Sequence, residues 1–173
     1  MKGSIAMKSM LIAAAMLGFA AAAQAQTPQP ADWTTLTMTA DLNKPADVAW
    51  ERIGGNDWCA IAKYLDVKGC TINSGKGGLG SVRTIATATG SVVENVVART
   101  AHSYTYAQPF TPIFYHGTLA VEPVDARHSK LVYTLIWNQT AVGDAAAQAA
   151  AREGRKTRFQ SAVDKMAAAA NAP

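Results

Sequence analysis

The chain has 173 residues and a formal charge of +4; 49% of it is hydrophobic but only 8% is aromatic. Alanine, which counts as hydrophobic but buries little surface, accounts for the difference between these two fractions. Nine of the 35 alanines lie in residues 1–25 and thirteen in residues 141–173. The length suits one domain, and the composition argues against disorder, collagen and a polytopic membrane protein. Nucleic-acid binding would need a denser basic patch than Arg152–Arg158, so we expect none.

The N-terminal apolar segment has the pattern of a secretory signal peptide. Lys2 and Lys8 precede fourteen uncharged residues, 10–23, and a small-x-small site ends at Ala25. Fourteen residues are too few to span a bilayer comfortably, although an N-terminal anchor or a buried helix is the alternative. We therefore expect a signal peptide over 1–25, cleavage between Ala25 and Gln26, a periplasmic or secreted protein, and no stable membrane anchor after cleavage.

Two cysteines, Cys59 and Cys70, remain in the mature chain with ten residues between them. In an oxidising compartment they can form a disulfide, which would stabilise the fold by about 3 kcal/mol on the chain-entropy model. The alternative is two buried free thiols. The three histidines show no ligand spacing with these cysteines, so we expect neither a metal site nor a cofactor.

The mature chain begins with a disordered lead-in over 26–32, followed by a strand, two short helices, a run of strands and a long helix. Ala46, Ala49, Trp50 and Ile53 form an apolar stripe at helical spacing in the first helix. The predicted strands cover 33–42, 70–73, 81–89, 91–100, 103–108, 115–123 and 130–140. The predicted helices cover 43–54, 57–64 and 144–171. Short connections make neighbouring strands antiparallel.

The last helix predicts a hollow interior. A sheet that buries one face against a single helix must curl around it, and an alanine-rich helix fills little of the enclosed space. Phe159, Val163 and Met166, with Ala167 and Ala170, give this helix its buried face. Gly154 is a weak point in its interior, worth about 1 kcal/mol against alanine.

The segment 75–80 matches the pattern G-x-G-x-x-G. A dinucleotide site needs that pattern to open a helix, but here a strand follows it. We therefore interpret the segment as a flexible hairpin turn.

Glu94 lies in a strand that is apolar on both faces. If its side chain points inward, it needs a partner such as Arg83 of the neighbouring strand, or a solvated pocket. A surface pair across the two strands is the alternative. Tyr104 with Tyr106, and Tyr133 with Trp137, share strand faces and suit either ordinary core or a pocket with hydrogen-bonding points.

Several short motifs, in order, resemble the START/Bet v 1-like (SRPBCC) superfamily in its polyketide cyclase/dehydrase-like branch. They are the helix start 45–50, the segment 58–70, the strand start 80–83, the pair Val93-Glu94, and the strand–loop–strand segment 104–115. The resemblance covers residues 33–171, which we expect to form a single domain. It implies an α+β helix-grip fold, with about seven antiparallel strands wrapped around the C-terminal helix and two short helices after the first strand.

The resemblance also implies an internal cavity for apolar or amphipathic small molecules. The positions of Tyr64, Glu94 and Tyr115 line the cavity in related hormone receptors, and Arg83 falls on the same inward face. We therefore expect the ligand-binding residues to be Tyr64, Arg83, Glu94, Tyr104, Tyr106, Tyr115 and Trp137. The loop 108–114 would form the mouth.

The predicted fold and its cavity are compatible with three functions. The first is an exported protein that binds a lipid, aromatic or polyketide-like molecule in its cavity. The second is a cyclase or dehydratase that uses Glu94 as general acid/base. The third is a non-catalytic periplasmic accessory protein, which would have a filled interior.

Overall fold

The computed structural model describes residues 32–173. The predicted signal peptide, and all but the last residue of the predicted lead-in, lie outside the described residues. The elements are β1 (Trp33–Leu42), α1 (Ala46–Arg52), β2 (Gly69–Ser74), β3 (Val82–Ala86), β4 (Ser91–Thr100), β5 (Ser103–Ala107), β6 (His116–Pro123), β7 (Ser129–Asn138) and α2 (Ala145–Asn171). Two 3₁₀ turns cover Ala60–Lys63 and Thr140–Val142.

The seven strands form one antiparallel sheet in the order β1-β7-β6-β5-β4-β3-β2. β1 lies at one edge, and α1 with the first 3₁₀ turn connects it to β2 at the other edge. The remaining strands then return one by one to β1. The predicted α+β helix-grip fold is confirmed. The second predicted helix, 57–64, is present only as the 3₁₀ turn Ala60–Lys63.

Alternation along the strands places one face of the sheet inward. In β1 the residues Thr35, Thr37 and Thr39 are exposed, while Met38 and Leu42 between and beyond them are buried. This period of two is the pattern expected of a strand with one face on the core. In β4 the register shifts between Val96 and Ala98, which indicates a β-bulge. Bulges increase the local twist of a sheet and help it to curl.

The core lies between the inner face of the sheet, α1 and the C-terminal half of α2. The predicted stripe of α1 is buried, with Ala49 and Trp50 at most 1% exposed. In α2 the buried residues are Phe159, Ala162, Val163, Met166 and Ala170. The helix begins as predicted at Asp144, whose carboxylate accepts a hydrogen bond from the Ala147 amide at 2.8 Å.

The glycine-rich segment 75–80 joins β2 to β3 as a turn. Gly75, Gly77 and Gly80 all have φ between 71° and 83°, a backbone region that glycine enters at little cost. Within the described part of the chain, no helix is both long and apolar enough to cross a membrane.

Candidate functional site

A cavity of about 400 Å³ separates the N-terminal half of α2 from the inner face of the sheet. Its apolar wall comes from Ile61, Leu65, Val67, Ile85, Val92, Ile113, Ala151, Gly154 and Phe159. Its polar and charged wall comes from Arg83, Thr87, Glu94, Tyr106, Gln108, Tyr115, Arg155 and Arg158. The volume lies within the usual range for small-molecule sites.

An ion pair between Arg83 and Glu94 forms part of this wall. The two residues lie directly opposite each other on β3 and β4, so their side chains share the inner face. The Arg83 Nη2 and Nε atoms lie 2.7 and 2.8 Å from Glu94 Oε2. Arg83 is 2% exposed and Glu94 4%, so the alternative of a surface pair is wrong.

Further contacts hold both partners of the pair in place. The second oxygen of Glu94 accepts a hydrogen bond from the Gln108 amide at 2.9 Å, and Arg83 also donates to the Trp58 carbonyl. Burial, the largest single influence, lowers the pKa of Arg83, but the charge and hydrogen bond of Glu94 together with Tyr104 and Tyr106 outweigh it, so the pKa is raised. The guanidinium lies 4.5 Å from the centroid of the Trp58 ring. Each partner of the pair is therefore fixed by more than one contact.

Tyrosines on β5 and β7 line the sheet beside this pair. The hydroxyls of Tyr106 and Tyr133 are 2.9 Å apart and hydrogen-bonded. Burial raises the pKa of Tyr104 to about 12 and raises those of Tyr106 and Tyr133 well above their ordinary value. Gly117 lies directly beneath the Tyr106 ring and leaves no room there for a Cβ atom. These hydroxyls stay neutral at physiological pH.

Tyr115 is different because its hydroxyl has no partner. The residue lines the cavity and is 4% exposed, yet its hydroxyl makes no hydrogen bond to any described residue. Burial raises its pKa, so the hydroxyl keeps its proton. Trp58 Nε1 and Trp137 Nε1 are also unpaired, but these residues do not line the cavity.

The helical wall of the cavity is a stripe along α2. Ala151, Gly154, Arg155, Arg158 and Phe159 follow the spacing i, i+3, i+4, i+7, i+8, which places them on one face of the helix. A Cβ atom added at Gly154 would meet nothing within 4 Å. Small residues on this face thus leave the space that the cavity occupies.

Four of the seven predicted ligand-binding residues lie on the cavity wall. They are Arg83, Glu94, Tyr106 and Tyr115. The predicted mouth loop 108–114 contributes Gln108 and Ile113 to the wall, whereas its Phe110 and Phe114 are exposed.

The other three lie behind the wall or beside it. Tyr104 packs edge-on against Trp50, with ring centroids 5.9 Å apart, in the core. Trp137 is covered on the cavity side by Arg155, whose guanidinium lies 4.7 Å from its ring centroid. Tyr64 is half-buried against the core. The Leu65 amide donates a hydrogen bond to the Ile61 carbonyl, so the two residues are related by one helical turn and lie on the same face. Both line the cavity, whereas Tyr64, one position earlier, lies on a neighbouring face.

Sequence reasoning missed the polar and small residues of α2 and the role of Gln108. The stripe of α2 was predicted to start at Phe159, since no large apolar residue marks the two preceding turns. A signal was available, because the same spacing extended backwards from Phe159 passes through Arg155 and Ala151.

The predicted disulfide between Cys59 and Cys70 is present, with the Cα atoms 5.6 Å apart. It ties the residue before the first 3₁₀ turn to the edge strand β2. Because Ile61 of that turn lines the cavity, the disulfide braces one side of the wall. Among residues 32–173, no three histidine, cysteine, aspartate or glutamate side chains lie close enough to hold a metal ion.

The fold and the cavity together define a helix-grip protein with a partly open cavity beneath α2, lined by apolar and charged groups. The chain belongs to the polyketide cyclase/dehydrase and lipid transport family, whose model matches residues 34–171. This confirms the resemblance to the START/Bet v 1-like superfamily. No curated protein sequence matches the chain.

Solved structures resemble the chain across most of its length. The ZhuI aromatase/cyclase from Streptomyces sp. R1128 has 19% identity and a TM-score of 0.65, covering 80% of this chain and 94% of its own. The XoxI protein from Bacillus cereus has 17% identity and a TM-score of 0.59, covering 79% and 94%. A Thermobifida fusca protein solved by NMR has 21% identity and a TM-score of 0.56, covering 76% and 92%. At these identities the likeness establishes the fold.

Proposed function

We propose that this protein binds a small hydrophobic or amphipathic molecule, of the lipid, aromatic or polyketide-like kind, in the cavity beneath α2. The observation that carries the proposal is the cavity of about 400 Å³, whose wall combines nine apolar residues with eight polar or charged ones. Apolar surface removed from water gives affinity, and the polar groups orient the ligand.

The Arg83–Glu94 pair and Gln108 supply one orienting group. Each Glu94 oxygen already accepts a hydrogen bond, but a carboxylate offers about four lone-pair positions. A ligand hydroxyl can therefore donate to Glu94 without breaking the pair. Because these side chains are held by the sheet and by each other, little conformational entropy is lost when the ligand binds.

The comparisons support a ligand-binding or cyclase role. The family is named for polyketide cyclases, dehydrases and lipid transport. Its members thus include enzymes and carriers, and the choice between the two rests on this chain's own cavity. The hypothesis of an accessory protein with a filled interior is disfavoured by the presence of the chamber.

The enzyme alternative rests on the burial of Glu94 on the cavity wall, where a general acid/base would have to lie. Glu94 is the one carboxylate among the described lining residues, and Arg83 and Gln108 engage both of its oxygens. A general acid/base must take up a proton, and protonation of Glu94 would leave the buried Arg83 without a counter-ion, whereas accepting a hydrogen bond from a ligand hydroxyl would not. Binding is therefore the function that the geometry favours.

A ligand screen tests the binding proposal. Native mass spectrometry and thermal-shift measurements with fatty acids, aromatic acids, alcohols and polyketide-like phenols should find species that bind one per chain and raise the Tm. Gly154→Leu should remove this binding by filling the cavity. Ala149→Leu, which adds the same side chain outside the cavity wall, should keep it. No ligand for the wild type, or equal binding by Gly154→Leu, would overturn the proposal.

The same screen separates a carrier from an enzyme. A carrier returns every bound ligand with its mass and structure unchanged after prolonged incubation. A cyclase or dehydratase converts one of them, and Glu94→Gln should then abolish the conversion. Because this variant also leaves the buried Arg83 without its counter-ion, circular dichroism at the assay temperature must show that it is still folded.

We further propose that the protein is exported, with a signal peptide over 1–25, a short lead-in over 26–32 and one ligand-binding domain over 33–171. The Cys59–Cys70 disulfide supports an oxidising compartment. Cell fractionation with N-terminal sequencing tests this: the mature protein should start at Gln26 and leave the cytoplasm. An intact N-terminus in the cytoplasmic fraction would contradict it.

A further inference from the structure

The charges on the cavity wall do not balance. Three arginines and one glutamate line it, and Arg83 neutralises the glutamate. Arg155 and Arg158 are left, and neither forms an ion pair with any described residue. Two positive charges therefore face the chamber without a compensating anion from the described chain.

Arg155 is held in position by its neighbours. Its guanidinium lies 4.7 Å from the centroid of the Trp137 ring and 5.9 Å from that of Tyr115. One of its donors bonds the Ala151 carbonyl at 3.2 Å. The side chain is half-buried, and this burial lowers its pKa because the charge has lost part of its water. An arginine held in this way still has four donors to offer, since a guanidinium carries five.

The ring of Tyr115, which carries the orphan hydroxyl, lies on the same cavity wall with its centroid 5.9 Å from this guanidinium. Its neighbour on the cavity wall, Tyr106, is close enough to act on the pKa of the Tyr115 hydroxyl, but the two hydroxyls form no hydrogen bond of normal geometry, whereas Tyr106 bonds Tyr133 at 2.9 Å. A buried hydroxyl without a partner is unfavourable, and native structures rarely keep one without a reason. A neutral hydroxyl and a positive guanidinium can both donate to one acceptor. Such a combination suits an oxygen anion.

We propose that the ligand carries a carboxylate group, and that Arg155 and Tyr115 bind this group at the α2 side of the cavity. This inference rests on the proposed binding function and names the chemical class of the ligand. A planar guanidinium matches a carboxylate through two parallel hydrogen bonds, which an alcohol cannot accept in the same geometry.

Arg158, one helical turn after Arg155, adds a second positive charge at this side of the cavity. Its guanidinium is exposed, and its one hydrogen bond to a described residue is a long one, 3.4 Å, to the Asp66 carbonyl. Arg83 offsets part of the Glu94 charge, which would otherwise oppose an anion in the cavity. The apolar body of the acid then lies against Ile61, Leu65 and Phe159. A second polar group on that body can reach Glu94.

Matched acids and alcohols test the inference. Decanoate with 1-decanol, and 2-naphthylacetate with 2-(2-naphthyl)ethanol, differ within each pair only in the carboxylate. Calorimetry on the wild type should give about tenfold or greater preference for the acid in at least one pair, as expected for a charge-assisted bidentate contact. The pair that binds also distinguishes an aliphatic from an aromatic body.

Variants then locate the carboxylate. Arg155→Met should weaken binding of the acid by about tenfold or more and leave the alcohol within about twofold, because only the acid uses the charge. Tyr115→Phe should weaken the acid by about threefold to tenfold. Arg155→Lys should retain part of the preference. Lys156→Met, an exposed neighbour that removes the same charge, should change neither ligand.

The outcomes separate the inference from the proposed function. If acid and alcohol bind the wild type equally, or if Arg155→Met weakens both equally, the carboxylate inference fails while the cavity remains a binding site. If no member of either pair binds at millimolar concentration and the wider screen is also negative, the proposed function fails and the inference with it.

Discussion

The two halves of α2 face the same curved sheet, but one half packs into the core and the other lines a cavity. The C-terminal half packs Ala162, Val163 and Met166 into the core at 1% exposure or less. The N-terminal half presents Gly154 and Arg155 to a cavity. The stripe is continuous along the helix, but the side chains that occupy it differ between the two halves. One half of a single helix can therefore hold the fold together while the other half leaves room for a ligand.

The largest loss of stability is expected on the sheet opposite the N-terminal half of α2, which borders the cavity and is called the hollow half below. Arg83→Met leaves Glu94 buried without its counter-ion and should lower the free energy of unfolding by about 3–5 kcal/mol. Urea unfolding measures this. The double variant Arg83→Met/Glu94→Leu should recover most of the loss, since it removes both charges. A double variant no more stable than the single one would show that the pair does not act as a unit.

The packed half is tested by Met166→Ala. Met166 is 1% exposed, and truncation of a buried methionine costs about 2–5 kcal/mol through lost burial and a new cavity. The matched change in the hollow half is Arg155→Ala, which should cost much less than Met166→Ala. If the two substitutions destabilise the protein equally in urea unfolding, the two halves do not differ in packing as described.

The disulfide tests the wall that faces the hollow half, because it joins the 3₁₀ turn that carries the lining residue Ile61 to the edge strand β2. Cys59→Ser/Cys70→Ser should lower the free energy of unfolding by about 3 kcal/mol, the value expected for so short a loop. Since the first 3₁₀ turn forms part of the wall, ligand affinity should fall as well. Calorimetric unfolding of the oxidised protein, the reduced protein and the double variant checks this. A stable double variant with unchanged affinity would mean that the brace is dispensable.

The smallest change in stability should be a gain. Gly154→Leu replaces a helix-interior glycine by a strong helix former at a position with open space, so stability should rise by about 1 kcal/mol. Ligand binding should be lost in the same variant. Because the variant is more stable than the wild type, misfolding cannot explain that loss. A less stable Gly154→Leu protein would show that the space at Gly154 is not open.

The fold could be predicted largely from local patterns. The bounds of β1 and β4 agree with the alternation read from the sequence, and the stripe of α1 with its helical spacing. The second helix was overestimated because its apolar spacing resembles a helix, whereas the chain makes only a 3₁₀ turn at Ala60–Lys63. Periodicity identifies which residues face inward but says little about the length of so short an element.

The site was easiest to predict where a polar residue interrupts an apolar strand. Glu94 stood out for that reason, and Arg83 followed as the partner it would need. Arg155 gave a weaker signal: it continues the helical spacing of Phe159, but arginine on an alanine-rich helix is typical of a solvated face. Its cavity position depends on the sheet curling around α2, which is a property of the whole fold. Tyr104 and Trp137 were predicted from their strand faces, but the same face contains both core and cavity wall.

A crystal structure with the tightest ligand from the screen tests the central claim most directly. Continuous density is expected for one ligand between Gly154 of α2 and the Arg83–Glu94 pair, with its polar group within hydrogen-bonding distance of Arg155 or Glu94. A ligand found only on the outer surface, or a cavity that stays empty at saturating ligand, would contradict the account.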